Sequence, residues 1–484
     1  MSLTGRKFWS EPDGVDRAAA NVRERSRVVD GPADLDDLVE RVADAECVLL
    51  GEATHGTSEF YRWRAQLSAR LIREHDFDFV AVEGDWTSCY RANQFVRGDE
   101  SGPETVRDLL GGFERWPTWM WANWEMAEFF EWLRLHNEEF EDDADRVGFY
   151  GLDVYGLFES LHAVLDYLED EYPEHVEEVK EAFRCFEPYG EDAREYAKST
   201  RMVPKTCEDE VVELLTSMRE RAAERAVENA ETHEEAFDLE QNALVAKNAE
   251  DYYRTMASGH GDSWNVRDEH MVETLGRLKD HHDGGKAIVW AHNTHVGDAR
   301  ATDMESKGRI NIGQLAREEW GDDDTAVVGF GSHRGSVVAA DAWGDPMEEM
   351  DLPAAKSGSY EDVFHAAGGE DRLLFTDDVA DDDALAEPRG HRAVGVVYHP
   401  AAEGATTSRP TSANATTPSS TSTRRRRSTP STSTPNANTS PNSTHRVSEP
   451  SVSGESYRRS NYSVVHCTNP TPPSDFLTSG RVSK

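Results

Sequence analysis

The sequence has little lysine, few cysteines and no long apolar run. Of its 51 basic residues only 10 are lysine, against 93 acidic residues, and the formal net charge is −42. A protein this acidic is repelled by nucleic acid and by anionic membranes, so we expect neither as a partner. The same acidity suits a protein kept in solution by concentrated salt, which predicts a halophilic source; an ordinary acidic protein is the alternative.

The cysteines and the apolar segments bear on the compartment. The five cysteines are scattered and odd in number, without CxxC spacing, which predicts a reducing compartment and no disulfide framework or zinc knuckle. The first residues lack the apolar segment of a signal peptide, and no apolar run approaches ~18 residues, so we expect a cytoplasmic protein without a membrane span. The sequence has no GxSxG elbow, and no GxGxxG or GxxxxGK[ST] follows a predicted strand.

Short apolar runs that end in polar residues predict the strands of an α/β protein. Two such runs, 47–51 and 79–84, flank a helical pattern over 57–75 and predict a parallel βαβ unit. A helix is predicted over 117–137, starting at its proline, with aromatic residues divided between the core and a pocket. Further strands are predicted over 147–153, 287–291, 325–330, 336–340, 373–375 and 393–398.

Two changes in composition divide the chain. Residues 160–282 are helical in pattern and highly charged, which predicts a helical insertion within an α/β domain of residues 1–402. Residues 403–484 carry 10 basic and 4 acidic residues, a net charge of +6 that leaves −48 for residues 1–402. They are rich in Ser, Thr, Pro and Arg, which predicts a disordered tail. A shifted reading frame after Ala402 would produce the same break, and it is the explanation we prefer.

Polar residues just after the strand-like runs form the candidate site. Because ligands bind at the carboxyl ends of parallel strands, we expect these side chains to lie together. A glycine follows the first histidine, where it permits either a close backbone approach or a positive φ. The residues are Glu52 and His55 after the first run, Glu83 at the end of the second, and His292 and His295 after the run at 287–291.

Two chemistries fit this set of side chains. In one, a histidine takes a proton from water, a glutamate orients that water, and other His or Arg side chains stabilise an oxyanion. In the other, Glu and His ligate a metal ion that activates water, although the HxxH spacing is weak evidence for it. Arg64 is either a surface residue or a group that binds a carbonyl or carboxylate.

Several stretches together resemble the erythromycin esterase family, which includes macrolide lactone hydrolases. The resemblance runs from about residue 45 to 400 and, with the acidity, indicates a haloarchaeal-type member. It implies a three-layer α/β fold with a mainly parallel sheet, a helical portion and a cleft above the sheet. The stretches are 51–60 (GEATHGTSEF), 80–83 (VAVE), 151–153 (GLD), 267–271 (RDEHM) and 290–296 (WAHNTHV).

The resemblance also implies an activity, the hydrolysis of carboxylic esters or lactones by water without a covalent acyl-serine. Carried over to this chain, it makes His55 the general base. Glu52 and Glu83 would position and polarise that histidine or the water. The natural ester, and any part in an antibiotic response, is not specified by the resemblance.

The rest of the implied polar site is made by Arg64, His292 and His295. No cofactor is expected to be required; the alternatives are a metal-dependent hydrolase and a protein that holds a metal ion or haem in the same Glu/His cluster without turnover. The expected partner is a small ester or lactone. Family members continue in globular sequence past 393–398, whereas here the tail takes its place; if a closing strand or helix is missing, the cleft or the core would be open, which affects stability more than the identity of the site.

Overall fold

The computed structural model describes residues 12–189, 193–200, 206–225, 232–258, 262–401, 407–408 and 462–467. Within them no helix is both long enough and apolar enough to cross a membrane. The α-helices are α1 (Pro12–Arg25), α2 (Asp36–Val42), α3 (Ser58–His75), α4 (Trp86–Arg97), α5 (Val106–Gly111), α6 (Trp124–Asn137), α7 (Leu157–Glu171), α8 (Val176–Phe186), α9 (Ala193–Thr200), α10 (Glu208–Arg225), α11 (Thr232–Ser258), α12 (Ser263–His281), α13 (Asn293–Val296), α14 (Ile312–Trp320) and α15 (Tyr360–Ala366).

A mainly parallel sheet forms the centre of the fold. Its strand order is β1-β9-β12-β6-β2-β5-β3-β4, and only the pairs β1–β9 and β9–β12 are antiparallel. The strands are β1 (Arg27–Val28), β2 (Cys47–Leu50), β3 (Phe79–Asp85), β4 (Gly148–Asp153), β5 (Ala287–Trp290), β6 (Thr325–Ser332), β7 (Gly335–Ala339), β8 (Glu348–Leu352), β9 (Arg372–Phe375), β10 (His391–Arg392), β11 (Thr407–Ser408) and β12 (Tyr462–Cys467).

Helices cover both faces of this sheet, which is why its strands read as continuous apolar runs. Val48 and Leu50 of β2 pack on one face with residues of α3 and α6. Cys47 and Leu49 pack on the opposite face with residues of α12 and α14. The three-layer α/β architecture predicted from the sequence is confirmed, and β2 and β3 are parallel as expected, with β5 inserted between them.

The segment from α7 to α11 has an apolar core of its own, and its helices match the helical pattern of the sequence. One prediction in this region is wrong, because Cys185 and Cys207 form a disulfide that joins the end of α8 to the start of α10. The two residues are far apart in sequence and have no motif spacing, so only the packing of the helices pairs them. This bond removes part of the basis for predicting a reducing compartment.

Two predicted element boundaries are also wrong. Pro117 precedes only a short 3₁₀ helix, Thr118–Met120. The α-helix α6 starts at Trp124, and the side chain of Asn123 caps it by accepting the backbone N–H of Met126 at 2.8 Å. The α-helix starts after Asn123 rather than at the proline, because the Asn side chain accepts a hydrogen bond from a free N–H of the first turn. Residues 393–398 are not a strand, since they make only isolated bridges to Thr54 and Ala340.

The predicted disordered tail falls largely outside the described residues. Within it, however, Tyr462–Cys467 form β12, which pairs parallel with β6 and antiparallel with β9. The tail therefore supplies the strand that lies between β6 and β9 in the central sheet. This short segment has two adjacent valines, and β-branched residues favour strands.

Candidate active site

Three neighbouring strands bring the predicted site residues together. β5 lies between β2 and β3 and runs parallel to both, so residues distant in sequence meet at the same edge of the sheet. The five acidic and histidine side chains predicted there are all buried at these strand ends: Glu52, His55, Glu83, His292 and His295.

Glycines allow the turn after β2 to pack closely against its neighbours. A Cβ on Gly51 would lie 2.0 Å from the side-chain oxygen of Asn293, and a Cβ on Gly56 would lie 1.9 Å from the carbonyl oxygen of Val338. The backbone N–H of Val338 donates to the Gly56 carbonyl at 3.0 Å. Of the two reasons considered for Gly56, close approach is therefore the one found.

His55 is held by a buried carboxylate. Its Nδ1 lies 2.9 Å from Oε1 of Glu52, and Oε2 of Glu52 lies 2.7 Å from Nη2 of Arg64. The guanidinium of Arg64 also lies over the rings of Tyr61 and Trp290, at 4.7 and 4.9 Å from their centroids. Because Glu52 engages Nδ1, Nε2 is the ring nitrogen that His55 presents to a ligand.

The charges around His55 raise its pKa above the ordinary 6.5. Burial is the largest influence on this pKa and lowers it, but the nearby carboxylate of Glu83 and the hydrogen-bonded carboxylate of Glu52 together outweigh it. His55 is therefore a stronger base than an ordinary histidine, because the two carboxylates stabilise its protonated form.

Arg267, on α12, links the ends of β3 and β4. Its Nε and Nη2 donate to the two oxygens of Asp153 at 2.9 and 2.6 Å, and Nη2 also donates to Oε1 of Glu83 at 2.7 Å. The other oxygen of Glu83 accepts the backbone N–H of His292 at 2.8 Å. Burial raises the pKa of Glu83, but the electrostatic influence of His295 and Arg267 outweighs burial and holds that pKa well below the ordinary 4.5.

His295 is held through both of its ring nitrogens and by stacking on one aromatic ring. Nδ1 lies 2.9 Å from Oδ1 of Asp268, and Nε2 accepts a hydrogen bond from Nη1 of Arg267 at 3.0 Å. An N–H that donates to Nε2 requires that nitrogen to be unprotonated, so the ring proton is on Nδ1. The ring stacks on Trp264 with centroids 4.4 Å apart. His295 therefore contacts both Arg267 and Glu83, whose Oε1 lies 3.4 Å from Nε2.

His292 has the opposite arrangement from His55. Its Nδ1 accepts hydrogen bonds from the hydroxyl and the backbone N–H of Thr294, at 2.8 and 3.3 Å. Nδ1 is therefore unprotonated, and the neutral ring carries its proton on Nε2. Burial and the nearby charge of His55 lower the pKa of His292 well below 6.5. Nε2 is buried and makes no well-formed hydrogen bond with the described residues, although an interaction with the backbone of Ala53 opposes part of this lowering of the pKa.

These residues line a cavity of about 440 Å³, within the usual size range of small-molecule sites. His55, Glu83, His292 and His295 lie on its wall, with aromatic rings around them. Trp121, from the aromatic segment expected to contribute to a pocket, also lines it. Glu52 and Arg64 lie behind His55, so Arg64 binds a carboxylate of the protein.

Three residues of this network were not assigned roles from the sequence: Asp153, Arg267 and Asp268. A signal was present for each of them, because Asp153 ends a strand-like run and the other two lie in the RDEHM stretch. What the sequence could not supply was the fold contact that places α12 against the ends of β3 and β4. Within the described residues, no three His, Cys, Asp or Glu side chains are arranged as ligands of one metal ion.

The fold and the site together define a three-layer α/β protein with paired histidines and carboxylates at the carboxyl ends of parallel strands, beneath one cavity. The chain belongs to the erythromycin esterase family, because the model of that family, described as erythromycin esterase, matches residues 72–417. The matched segment contains Glu83, Arg267, His292 and His295 and begins after Arg64. Membership in this family supports a hydrolase.

Individual relatives are distant. The chain is 22% identical to the erythromycin esterase type II of Escherichia coli over 374 residues, which are 72% of this chain and 85% of that protein. Two solved structures have the same fold. A Bacillus cereus protein has a TM-score of 0.64 at 19% identity, covering 82% of this chain and 94% of its own. A mutant of the erythromycin esterase EreC in its open conformation has a TM-score of 0.57 at 18% identity, covering 79% and 91%.

Proposed function

We propose that this protein hydrolyses carboxylic esters or lactones with a water molecule activated by His55. The observation that carries the proposal is the pair His55 and His292, whose ring centroids are 5.0 Å apart and whose pKa values are shifted in opposite directions. Two titratable groups with such opposed environments divide into a base and a neutral donor. Ester hydrolysis by water needs both.

In the proposed reaction, Nε2 of His55 takes a proton from water as the water oxygen bonds to the ester carbonyl carbon. The carbonyl oxygen becomes an oxyanion and accepts a hydrogen bond from Nε2–H of His292. The tetrahedral intermediate then collapses, the bond to the alcohol oxygen breaks, and His55 returns the proton to that oxygen. Glu52 stabilises the protonated histidine between these two steps.

The pH dependence of ester hydrolysis tests this assignment. With phenyl hexanoate as substrate and phenol release as the readout, kcat/KM is expected to rise with pH and level off, because His55 acts only when deprotonated. The inflection should lie above 6.5, since the carboxylates raise the pKa of His55. Glu52→Gln removes one of those charges and should move the inflection to lower pH while lowering the plateau.

A matched control is Glu177→Gln, which removes an exposed carboxylate of the helical segment and should leave the profile in place. An inflection that does not respond to Glu52→Gln would argue against a general base coupled to that carboxylate. A rate that falls as the pH rises through the inflection would contradict a histidine base altogether.

The metal-dependent alternatives predict that a chelator changes the protein. In those proposals, chelation removes either the hydrolytic activity or the bound ion. The network disfavours a dication beside Glu83, since the cation of Arg267 already lies 2.7 Å from that carboxylate. We therefore propose chelator-resistant turnover of a small ester or lactone, a substrate class that the name of the E. coli relative also supports.

A further inference from the structure

The wall of the cavity includes an arginine that the proposed reaction does not use. Arg115 lies in the loop between α5 and α6, and its side chain is 24% exposed. Two other cations on the wall are more exposed, Lys307 at 53% and Arg309 at 39%. Arg115 is thus the most enclosed of these three, and a guanidinium binds carboxylates in a well-defined bidentate geometry.

Arg115 has one direct ion pair, which is longer than those of the other two cations. Nη1 lies 3.2 Å from a carboxylate oxygen of Glu159, whose side chain is 43% exposed, and Nη2 lies 3.2 Å from the uncharged hydroxyl of Tyr253. By contrast, Lys307 pairs with Asp303 at 2.8 Å, and Arg309 pairs with Asp262 at 2.7 Å. A second carboxylate, Asp85, makes no direct ion pair with Arg115, but it is near enough to favour the charged guanidinium while it caps α4 by accepting the N–H of Ser88.

One aromatic ring connects Arg115 to the reacting groups. The guanidinium carbon of Arg115 is 5.5 Å from the ring centroid of Tyr155, and the guanidinium carbon of Arg267 is 4.7 Å from the same centroid. Tyr155 also lines the cavity. Both guanidinium groups therefore lie against one ring of the cavity wall, and a ligand that extends from His55 along Tyr155 would meet Arg115. Arg267 itself is occupied by two carboxylates.

We infer that Arg115 is a specificity-determining residue that binds a carboxylate at the far end of the substrate. The preferred substrate class is then an anionic ester, such as a half-ester of a dicarboxylic acid. A chain of net charge −42 repels anions elsewhere, so a partly exposed guanidinium on the cavity wall selects for an anionic substrate. This inference rests on the proposed function, because it names the substrate of the same site.

The test compares two phenyl esters of equal chain length, the anionic monophenyl adipate and the neutral phenyl hexanoate, in about 1 M KCl, where exposed charges are screened within roughly 3 Å. The ratio of their kcat/KM values is expected to favour the adipate in the parent protein. Arg115→Met should lower that ratio by roughly tenfold to a hundredfold, the range for a hydrogen bond to a charged group. Glu159→Gln, which removes the competing surface carboxylate, should raise the ratio severalfold.

Lys307→Met is the matched control, because it removes one positive charge from the same cavity wall. The ratio should change far less in this variant than in Arg115→Met. A ratio that is equal in the parent and in Arg115→Met would overturn the inference, as would a larger effect from Lys307→Met.

A binding measurement separates this inference from the proposed function. N-phenyladipamic acid and N-phenylhexanamide are amide analogues of the two esters, and calorimetry measures their affinities without turnover. Tighter binding of the acid that is lost in Arg115→Met supports the subsite even if no ester is hydrolysed, in which case the proposed function fails alone. Equal binding of the two amides overturns the subsite even if both esters are hydrolysed.

Discussion

Replacing His55 with asparagine is expected to lower kcat/KM for phenyl hexanoate by a factor of about 100 or more, the contribution typical of a positioned general base. Asparagine retains an N–H that can donate to Glu52, and Arg64 still neutralises that carboxylate at 2.7 Å. The fold should therefore survive, and the loss should appear in kcat. Phenol release and circular dichroism on the same preparations measure the two quantities.

His399→Asn is the control for this substitution, because His399 is exposed and belongs to neither the cavity wall nor the charge network. It should retain the parent activity. A loss of less than tenfold in a folded His55→Asn protein would show that another group accepts the proton from water.

Replacing Arg267 with methionine is expected to lower the free energy of unfolding by about 3–5 kcal/mol, the effect of removing one partner from a buried ion pair. Glu83 and Asp153, which are 4% and 5% exposed, would each lose the cation that lies within 2.7 Å of them. Both carboxylates would remain buried without that charge. Urea unfolding followed by tryptophan fluorescence measures the change.

Two further variants show whether buried carboxylates without a cation cause that loss of stability. Adding Asp153→Asn to Arg267→Met removes one of the two uncompensated carboxylates and should recover part of the stability. Arg184→Met breaks an exposed pair with Glu177 and should cost at most about 1 kcal/mol. If Arg267→Met costs no more than Arg184→Met, Arg267 is not the centre of the charge network.

The fold could be predicted where the sequence pattern is local. The runs that became β2, β3, β4 and β5 are apolar because helices cover both faces of the sheet, and each ends in a polar residue. Glu52, Glu83 and His292 form one site because β5 lies between β2 and β3, a long-range pairing that the local pattern does not contain. The strand-end rule anticipated that result without the strand order.

The features that could not be predicted depend on packing between distant segments. The disulfide between Cys185 and Cys207 requires α8 and α10 to be neighbours, and β12 requires residues 462–467 to return to the middle of the sheet. The run at 393–398 is apolar like a strand, yet it makes only isolated bridges, and in one of them the N–H of Val394 donates to the carbonyl of Ala53. A halophilic cytoplasm and the division into domains remain sequence predictions.

In the candidate site, too, some contacts follow from the local sequence and others depend on tertiary packing. His55 and its carboxylate are three residues apart, so their contact is implied by the turn that holds them. The roles of Asp268 and Arg267 depend on which nitrogen of His295 carries the proton. That follows only from the arrangement of donors around the ring.

The central claim is that water attacks the ester carbonyl directly, and a single-turnover reaction in oxygen-18 water tests it most directly. With enzyme in excess over phenyl hexanoate, we expect one heavy oxygen in the hexanoic acid from the first turnover, and no hexanoyl adduct in the intact mass of the protein. Unlabelled acid in that turnover would show that a carboxylate of the protein attacked instead, and a hexanoyl adduct would show a covalent intermediate. Either result would contradict the account.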